Sequence, residues 1–240
     1  MSIPDKSEIP SVFNEISAKY DRINRLLSGY QDVLWRWKLA RTIRNRNPDT
    51  VLDLATGTAD VLISLANHGI RFKHGIGLDP AVDMLAIGNK KLNRCQLSNR
   101  IELKAGVATA IPLPANAVDV ITMSFGIRNV PDYEAALVEM TRVLKPGGEA
   151  LILEFSLPPQ PIRTPYLWYL RTILPRLGRW LSGHDTAYTY LNKTIESFPY
   201  GAAFEQKLYA AGFSSVRSYR MSAGVVTLYH AQDRKSTRLN

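Results

Sequence analysis

A doubly wound, mostly parallel α/β sheet is the fold class this sequence predicts, on three observations. Short apolar runs that read as buried parallel strands alternate regularly with stretches of helical apolar spacing between residues 51 and 154. The first run, 51–54, passes directly into the small-residue turn Ala55-Thr56-Gly57-Thr58-Ala59, and Asp60 then opens a helix. The second run, His74–Asp79, ends in a carboxylate 26 residues after Asp53. Turns of this kind sit at the carboxyl ends of parallel strands, where open α/β sheets bind ligands.

Taken in order, residues 1–10 are polar, contain two prolines and read as loose. Ser11 reads as a helix N-cap with Glu15 close behind. Phe13, Ile16, Tyr20, Ile23 and Leu27 recur at helical spacing until Gly29 interrupts. A second helix over 32–46 carries Trp35, Trp37, Leu39 and Ile43. Residues 1–46 are thus a helical cap ahead of the first strand, which either covers a ligand cleft or packs on the sheet edge. The helix from Asp60 carries Val61, Leu62 and Leu65, and the helix from Pro80 carries Met84, Leu85 and Leu92. Ile101–Ala105 is the third strand, Pro112 and Pro114 mark a loop, and 117–123 is the fourth strand. Tyr133, Leu137, Met140 and Leu144 share a helical face; Lys145-Pro146-Gly147-Gly148 ends that helix, and 150–154 is the fifth strand.

Beyond Ser156 the pattern changes. Leu157-Pro158-Pro159-Gln160-Pro161 is a stiff linker into a helical insertion over 157–200. Within it, 165–183 reads as one or two short helices kinked at Pro175, with many large apolar residues among Arg171, Arg176 and Arg179. A membrane-interface segment and a lid buried against the core both fit that pattern. A helix over 203–211 and an antiparallel pair, 214–221 and 225–231, close one sheet edge. Residues 47–232 therefore form the main domain, and 233–240 reads as a disordered basic tail.

The turn at 55–59 has one glycine where a dinucleotide site needs three, and Asp53 and Asp60 are poor neighbours for a pyrophosphate. A cationic nucleoside without phosphates, such as S-adenosylmethionine (SAM), fits better. Asp79 suits the two ribose hydroxyls; it also suits a helix N-cap, since Pro80 follows. The 240-residue chain has 30 Lys and Arg against 21 Asp and Glu, a formal charge of +9. That balance points to an anionic partner, nucleic acid or an acidic membrane surface, or only to solubility. A single cysteine, Cys95, excludes an internal disulfide, and the four histidines lack metal-ligand spacing, so no metal site is expected. There is no 18-residue apolar span and no secretory signal at the start, which predicts a cytoplasmic protein.

Three segments carry a family resemblance. They are Tyr20-Asp21-Arg22-Ile23-Asn24-Arg25-Leu26-Leu27-Ser28 followed by Trp35; Ser124-Phe125-Gly126-Ile127-Arg128-Asn129-Val130; and Arg142-Val143-Leu144-Lys145-Pro146-Gly147-Gly148 with Glu154 and Ser156. Over 12–231 the chain resembles the class I SAM-dependent methyltransferases, and more narrowly the quinone-biosynthesis C-methyltransferases that act on demethylmenaquinol or the ubiquinone precursor. Its Gly57-Thr58-Ala59-Asp60 loop, its 187–191 stretch and Phe198-Pro199 are more similar to menaquinone-type members. The resemblance implies SAM as cofactor, contacted by Asp53, Ala55, Gly57 and Thr58, with Asp79 at the ribose and Ser124 beside the methionine part. Val107 and Ala108 would flank the adenine; Val107 departs from the Asp or Asn usual there. Arg128 is the expected electrostatic catalyst, with a structural salt bridge to Asp132 as the other reading, and Asn129 supplies a hydrogen bond. Tyr20, Asp21 and His184 are candidates for a base. The implied substrate is a prenylated quinol, approached at an anionic membrane surface through 165–183, on the inner face of the cell membrane. No nucleic-acid-binding module is recognisable, so an RNA methyltransferase is the weaker reading, as is a non-catalytic SAM-fold subunit. A homodimer is compatible with the sequence, which sets no oligomeric state.

Overall fold

The computed structural model describes residues 9–176 and 186–233. Strands β1 (Thr50–Leu54), β2 (His74–Asp79), β3 (Ile101–Ala105), β4 (Val118–Ser124) and β5 (Leu144–Phe155) pair in parallel. Strands β6 (Ser215–Met221) and β7 (Val226–Gln232) complete the sheet as an antiparallel pair, β7 lying between β5 and β6. The order is β3-β2-β1-β4-β5-β7-β6. The strand order reverses between β1 and β4, so the loops after these two strands open a crevice at their carboxyl ends.

Each central strand buries both faces, which is why the runs read as nearly continuous apolar sequence. Leu52, Leu54, Ile152 and Tyr229 face one core, closed by helices α5 (Tyr133–Val143) and α8 (Ala202–Ala210). Val51, Val120, Leu151 and Leu228 face the other, closed by α2 (Gln31–Thr42), α3 (Asp60–Asn67) and α4 (Val82–Arg94). Helix α1 (Ile9–Leu27) crosses α4 and turns into α2 through Gly29 and Tyr30, both with positive φ. After β5 the insertion runs through α6 (Arg163–Trp168), a π turn over Tyr169–Ile173, and α7 (Thr186–Ser197).

Several local expectations are corrected. Ser11 lies inside α1, which already runs from Ile9, with Pro10 tolerated in the first turn. Helix α2 stops at Thr42 rather than at 46, because tertiary partners take over the groups that would continue it. The Glu149 carboxylate accepts from Arg44 N (2.9 Å) and Asn45 N (3.0 Å), and the Arg46 guanidinium donates to Ala40 O (2.8 Å). Lys145 to Gly148 belong to β5, which starts at Leu144 and meets β4 across a register irregularity. Gly148 is needed there: a Cβ would lie 2.9 Å from Lys145 O and 3.0 Å from Asp119 O. Pro175 follows a π turn, since proline has no N–H to offer the carbonyl of Arg171, and the chain stays helical through Arg176. In the tail, residues 234–240 lie outside the described residues.

Candidate active site

The turn after β1 bends back on itself, with Ala55, Gly57 and Ala59 all at positive φ. Two carboxylates brace it from below. Asp53 is buried and accepts from Thr56 Oγ1 (2.7 Å) and Thr122 Oγ1 (2.6 Å). Burial raises its pKa to about 7. Asp79 accepts from Gly57 N and Ala81 N, both at 2.8 Å; burial raises its pKa as well, against the opposing effect of those two bonds. Helix α4 starts at Val82, so Asp79 is not its N-cap. Its carboxylate ties the turn to β2 and keeps free lone pairs for further donors.

The loop after β4 meets this turn at close quarters. A Cβ on Gly126 would lie 2.5 Å from Ala55 Cβ, so only glycine lets the two loops touch. Arg128 follows in a 3-10 turn, Ile127–Asn129, and is buried. Its Nη1 donates to Glu154 Oε1 (2.7 Å) and Phe125 O (2.6 Å), and its guanidinium lies 5.3 Å from the Phe155 ring centroid. The ion-pair partner is therefore Glu154 at the end of β5, not Asp132. Asp132 caps α5 by accepting from Ala135 N (2.9 Å).

Between these loops and the insertion lies a cavity of about 880 Å³. Of the residues expected at the site, Ala55, Gly57, Thr58, Ser124, Arg128 and Asn129 line it. Asp53, Asp79, Val107 and Ala108 do not. Asp53 lies beneath the turn, Val107 is exposed and Ala108 is buried, both beyond β3. Ser124 Oγ, Asn129 Oδ1 and Arg128 Nε are buried with no hydrogen-bond partner among the described residues. Three orphaned polar atoms around one cavity mark a place for a polar ligand. Next to them Trp35, Phe125 and Phe155 form an aromatic cluster with centroids 4.6 to 6.3 Å apart. Tyr166, Tyr169, Leu170 and Leu174 of the insertion close over it, while Trp168 beside them is exposed; 177–183 lies outside the described residues. Burial raises the pKa of Tyr166 well above the ordinary phenol value, so its hydroxyl stays protonated at neutral pH.

The sequence reading missed the polar wall that α1 brings. Thr58 Oγ1 donates to Asp21 Oδ1 (2.8 Å); Lys91 Nζ donates to Asp21 Oδ2 (2.8 Å) and Thr58 Oγ1 (2.9 Å), and pairs closely with Asp60. Arg36 binds Asp32 at 2.6 Å and reaches Asp60 at 3.6 Å. Lys91 sits far from the turn in sequence with no local signal. Phe125 and Phe155, by contrast, lie at carboxyl strand ends, where the topology alone points to ligand contact. Asp21, a candidate base, is held in this network. The Tyr20 side chain and His184 lie outside the described residues.

A small-residue turn braced by two carboxylates, at the switch point of this sheet and beside a cavity, defines a class I SAM-dependent methyltransferase. A SAM-dependent methyltransferase from Aquifex aeolicus has the same fold, with a TM-score of 0.62 at 20% identity over 88% of this chain and 97% of that one. The chain belongs to the ubiE/COQ5 methyltransferase family, whose pattern matches residues 1–233. A demethylmenaquinone methyltransferase of Thermus thermophilus is 41% identical over 224 residues, 93% of this chain and 100% of the relative. A ubiquinone/menaquinone biosynthesis C-methyltransferase UbiE of Rubrivivax gelatinosus is 36% identical over 224 residues, 93% of this chain and 86% of the relative.

Proposed function

We propose that this chain methylates a ring carbon of a reduced, prenylated demethylnaphthoquinol to give menaquinol. The observation that carries the reading is the joining of two halves in one cavity: a polar loop side with orphaned donors and acceptors, and an aromatic side under an apolar lid. The 41% identical relative is named for this reaction.

The residues present fit SAM, which when bound supplies an electrophilic methyl group on a sulfonium. The Ser124 hydroxyl and the Asp21–Lys91–Asp60 network would hold its amino-acid part. Ala55, Gly57 and Thr58 would let it approach the backbone, and Asp53 would act through Thr56 by fixing the turn. Asp79 would take the ribose hydroxyls on its remaining lone pairs. Val107 and Ala108 would flank the adenine, with backbone rather than side-chain bonds at Val107.

A quinone ring carbon is electrophilic and will not attack a methyl group, whereas a quinol, and still more its phenolate, will. The quinol lies against Trp35, Phe125 and Phe155 in this reading. Arg128 faces its hydroxyl and stabilises the phenolate, and Asn129 hydrogen-bonds to it. Arg128 never gives up its proton and so is no base. Its charge is shared with Glu154, which holds the guanidinium in place. Among the described residues Tyr166 and Tyr169 stay protonated at neutral pH, so they donate hydrogen bonds rather than take the proton. A prenyl tail leaving the cavity keeps the substrate in a bilayer, and the +9 charge suits approach to an anionic lipid surface.

The test is incubation of the purified protein with labelled SAM and, separately, reduced demethylmenaquinol, a benzoquinol precursor of ubiquinone, and bulk RNA. Label in the naphthoquinol is expected. Label in the benzoquinol alone moves the protein to the ubiquinone branch, one of the two that the UbiE relative's name covers. Label in RNA alone overturns both.

A further inference from the structure

Helix α2 carries large apolar side chains on its outward side as well as its buried one. Trp35, Leu39 and Ala40 are buried against the sheet, yet the opposite side carries Val33, Leu34 and Trp37, which are 44%, 63% and 43% exposed. A surface helix of a soluble domain ordinarily turns charged residues outward. The stripe continues through the turn: Tyr30 is 65% exposed and Leu26, at the end of α1, is 56% exposed. Spacings of three and four residues put Tyr30, Leu34, Trp37 and Arg41 on one line, and Arg22 and Leu26 on another that meets it at Gly29. Between residues 22 and 44 the exposed charged side chains are all cations. Arg22, Arg41 and Arg44 are exposed, and the Arg41 guanidinium lies 5.6 Å from the Trp37 ring centroid. The one carboxylate of α2, Asp32, is buried against Arg36.

The ribbon also borders the cavity. Leu26, Leu27, Ser28 and Gly29 line it, and Leu26 does so while more than half exposed, which puts an opening of the cavity at this turn. The lid joins the same spot: the Tyr169 hydroxyl donates to Leu27 O (3.4 Å), and Trp168 beside it is 60% exposed.

We infer that the outward face of the α1–α2 turn is the surface by which this protein docks on an anionic lipid bilayer, with the cavity mouth against the lipid. Aromatic and aliphatic side chains would enter the headgroup region, and the arginines would meet the anionic headgroups. This rests on the reading that the substrate is prenylated, and it centres the contact on α1 and α2, with exposed Trp168 of the 165–183 segment beside them.

The test compares the full chain with the double variant Leu34→Glu, Trp37→Glu. Neither side chain lines the cavity. Binding is read by co-sedimentation with vesicles of phosphatidylcholine containing phosphatidylglycerol, and with phosphatidylcholine alone. The parent is expected to bind the anionic vesicles at low salt, less so at high salt, and the variant about tenfold or more weakly. Its melting temperature and its methylation of a short-chain, water-soluble quinol should match the parent. Equal vesicle binding by parent and variant overturns the inference. So does a parent dimer that the variant dissociates while vesicle binding persists, since the face then belongs to a second copy of the chain. If the variant loses vesicle binding but neither protein methylates the short-chain quinol, the docking surface stands and the substrate reading falls.

Discussion

Arg128 and Glu154 are a buried pair whose halves cannot be removed singly without consequence. Arg128→Ala would leave a carboxylate buried and uncompensated, a cost of about 3–5 kcal/mol that confuses stability with catalysis. Arg128→Lys keeps the charge but loses the planar fork that binds Glu154 and Phe125 O while leaving Nε for a ligand. Its turnover number is expected to fall roughly a hundredfold with SAM affinity little changed, measured by single-turnover methylation and by calorimetry. Unchanged turnover would remove Arg128 from the mechanism. Asp53 gives a pH signature. Its folded pKa is raised to about 7 from an unfolded value near 3.8. Between those values the unfolded chain has lost a proton that the folded protein keeps, so stability from this group falls as pH rises through that window. Asp53→Asn is expected to flatten the decline, read from denaturant midpoints between these two pH values. The identities of Arg128, Asn129 and Ser124 were visible in the sequence, but their partners were not. Asp132, four residues from Arg128, looked like the counter-charge, while the actual one comes from another strand.

At the scale of elements, the first of the three family segments, 20–28, turns out to be a clamp. Asp21 on α1, Thr58 in the turn and Lys91 on α4 hold one another, and Arg25 adds a 3.6 Å contact to Asp60. Helix α1 is thereby fastened over the cofactor turn. Lys91→Met, which keeps the stem and removes the ammonium, should weaken SAM binding roughly tenfold and speed amide exchange in α1, with the sheet's exchange unaffected. An α1 that exchanges as slowly as in the parent would show the clamp to be idle. The third segment, 142–148, is structural. Arg142 donates to Leu113 O (2.8 Å) and Ile111 O (2.9 Å), which fixes the loop between β3 and β4, and Lys145 pairs with Asp119 at 2.9 Å. Helices and strands were legible because their apolar periods are local. Their ends were less so, since Glu149 and Arg46 end α2 from a distance.

Over the whole molecule, one buried cluster pins the N-terminal helices to the far side of the sheet. Glu149 on β5 binds His230 of β7 at 2.6 Å and takes the backbone N–H groups that follow α2. Glu149→Ala orphans the imidazole and two N–H groups together, and is expected to cost about 3 kcal/mol or more of global stability in urea unfolding. A shift no larger than a surface substitution would refute that. Among the described residues no helix is long and apolar enough to cross a membrane. What the sequence determined by itself was the alternation of strand and helix, the antiparallel edge pair, and the turn that begins the site. Each of these is written in neighbouring residues, as a period, a glycine or a run of small side chains. Only the tertiary structure decided which charges answer each other, that the cavity joins a polar loop to an aromatic wall, and that α2 leaves Val33, Leu34 and Trp37 exposed. Those facts depend on which residues distant in the chain are brought within a few ångströms, and on which face of a helix the sheet covers. No local pattern encodes either.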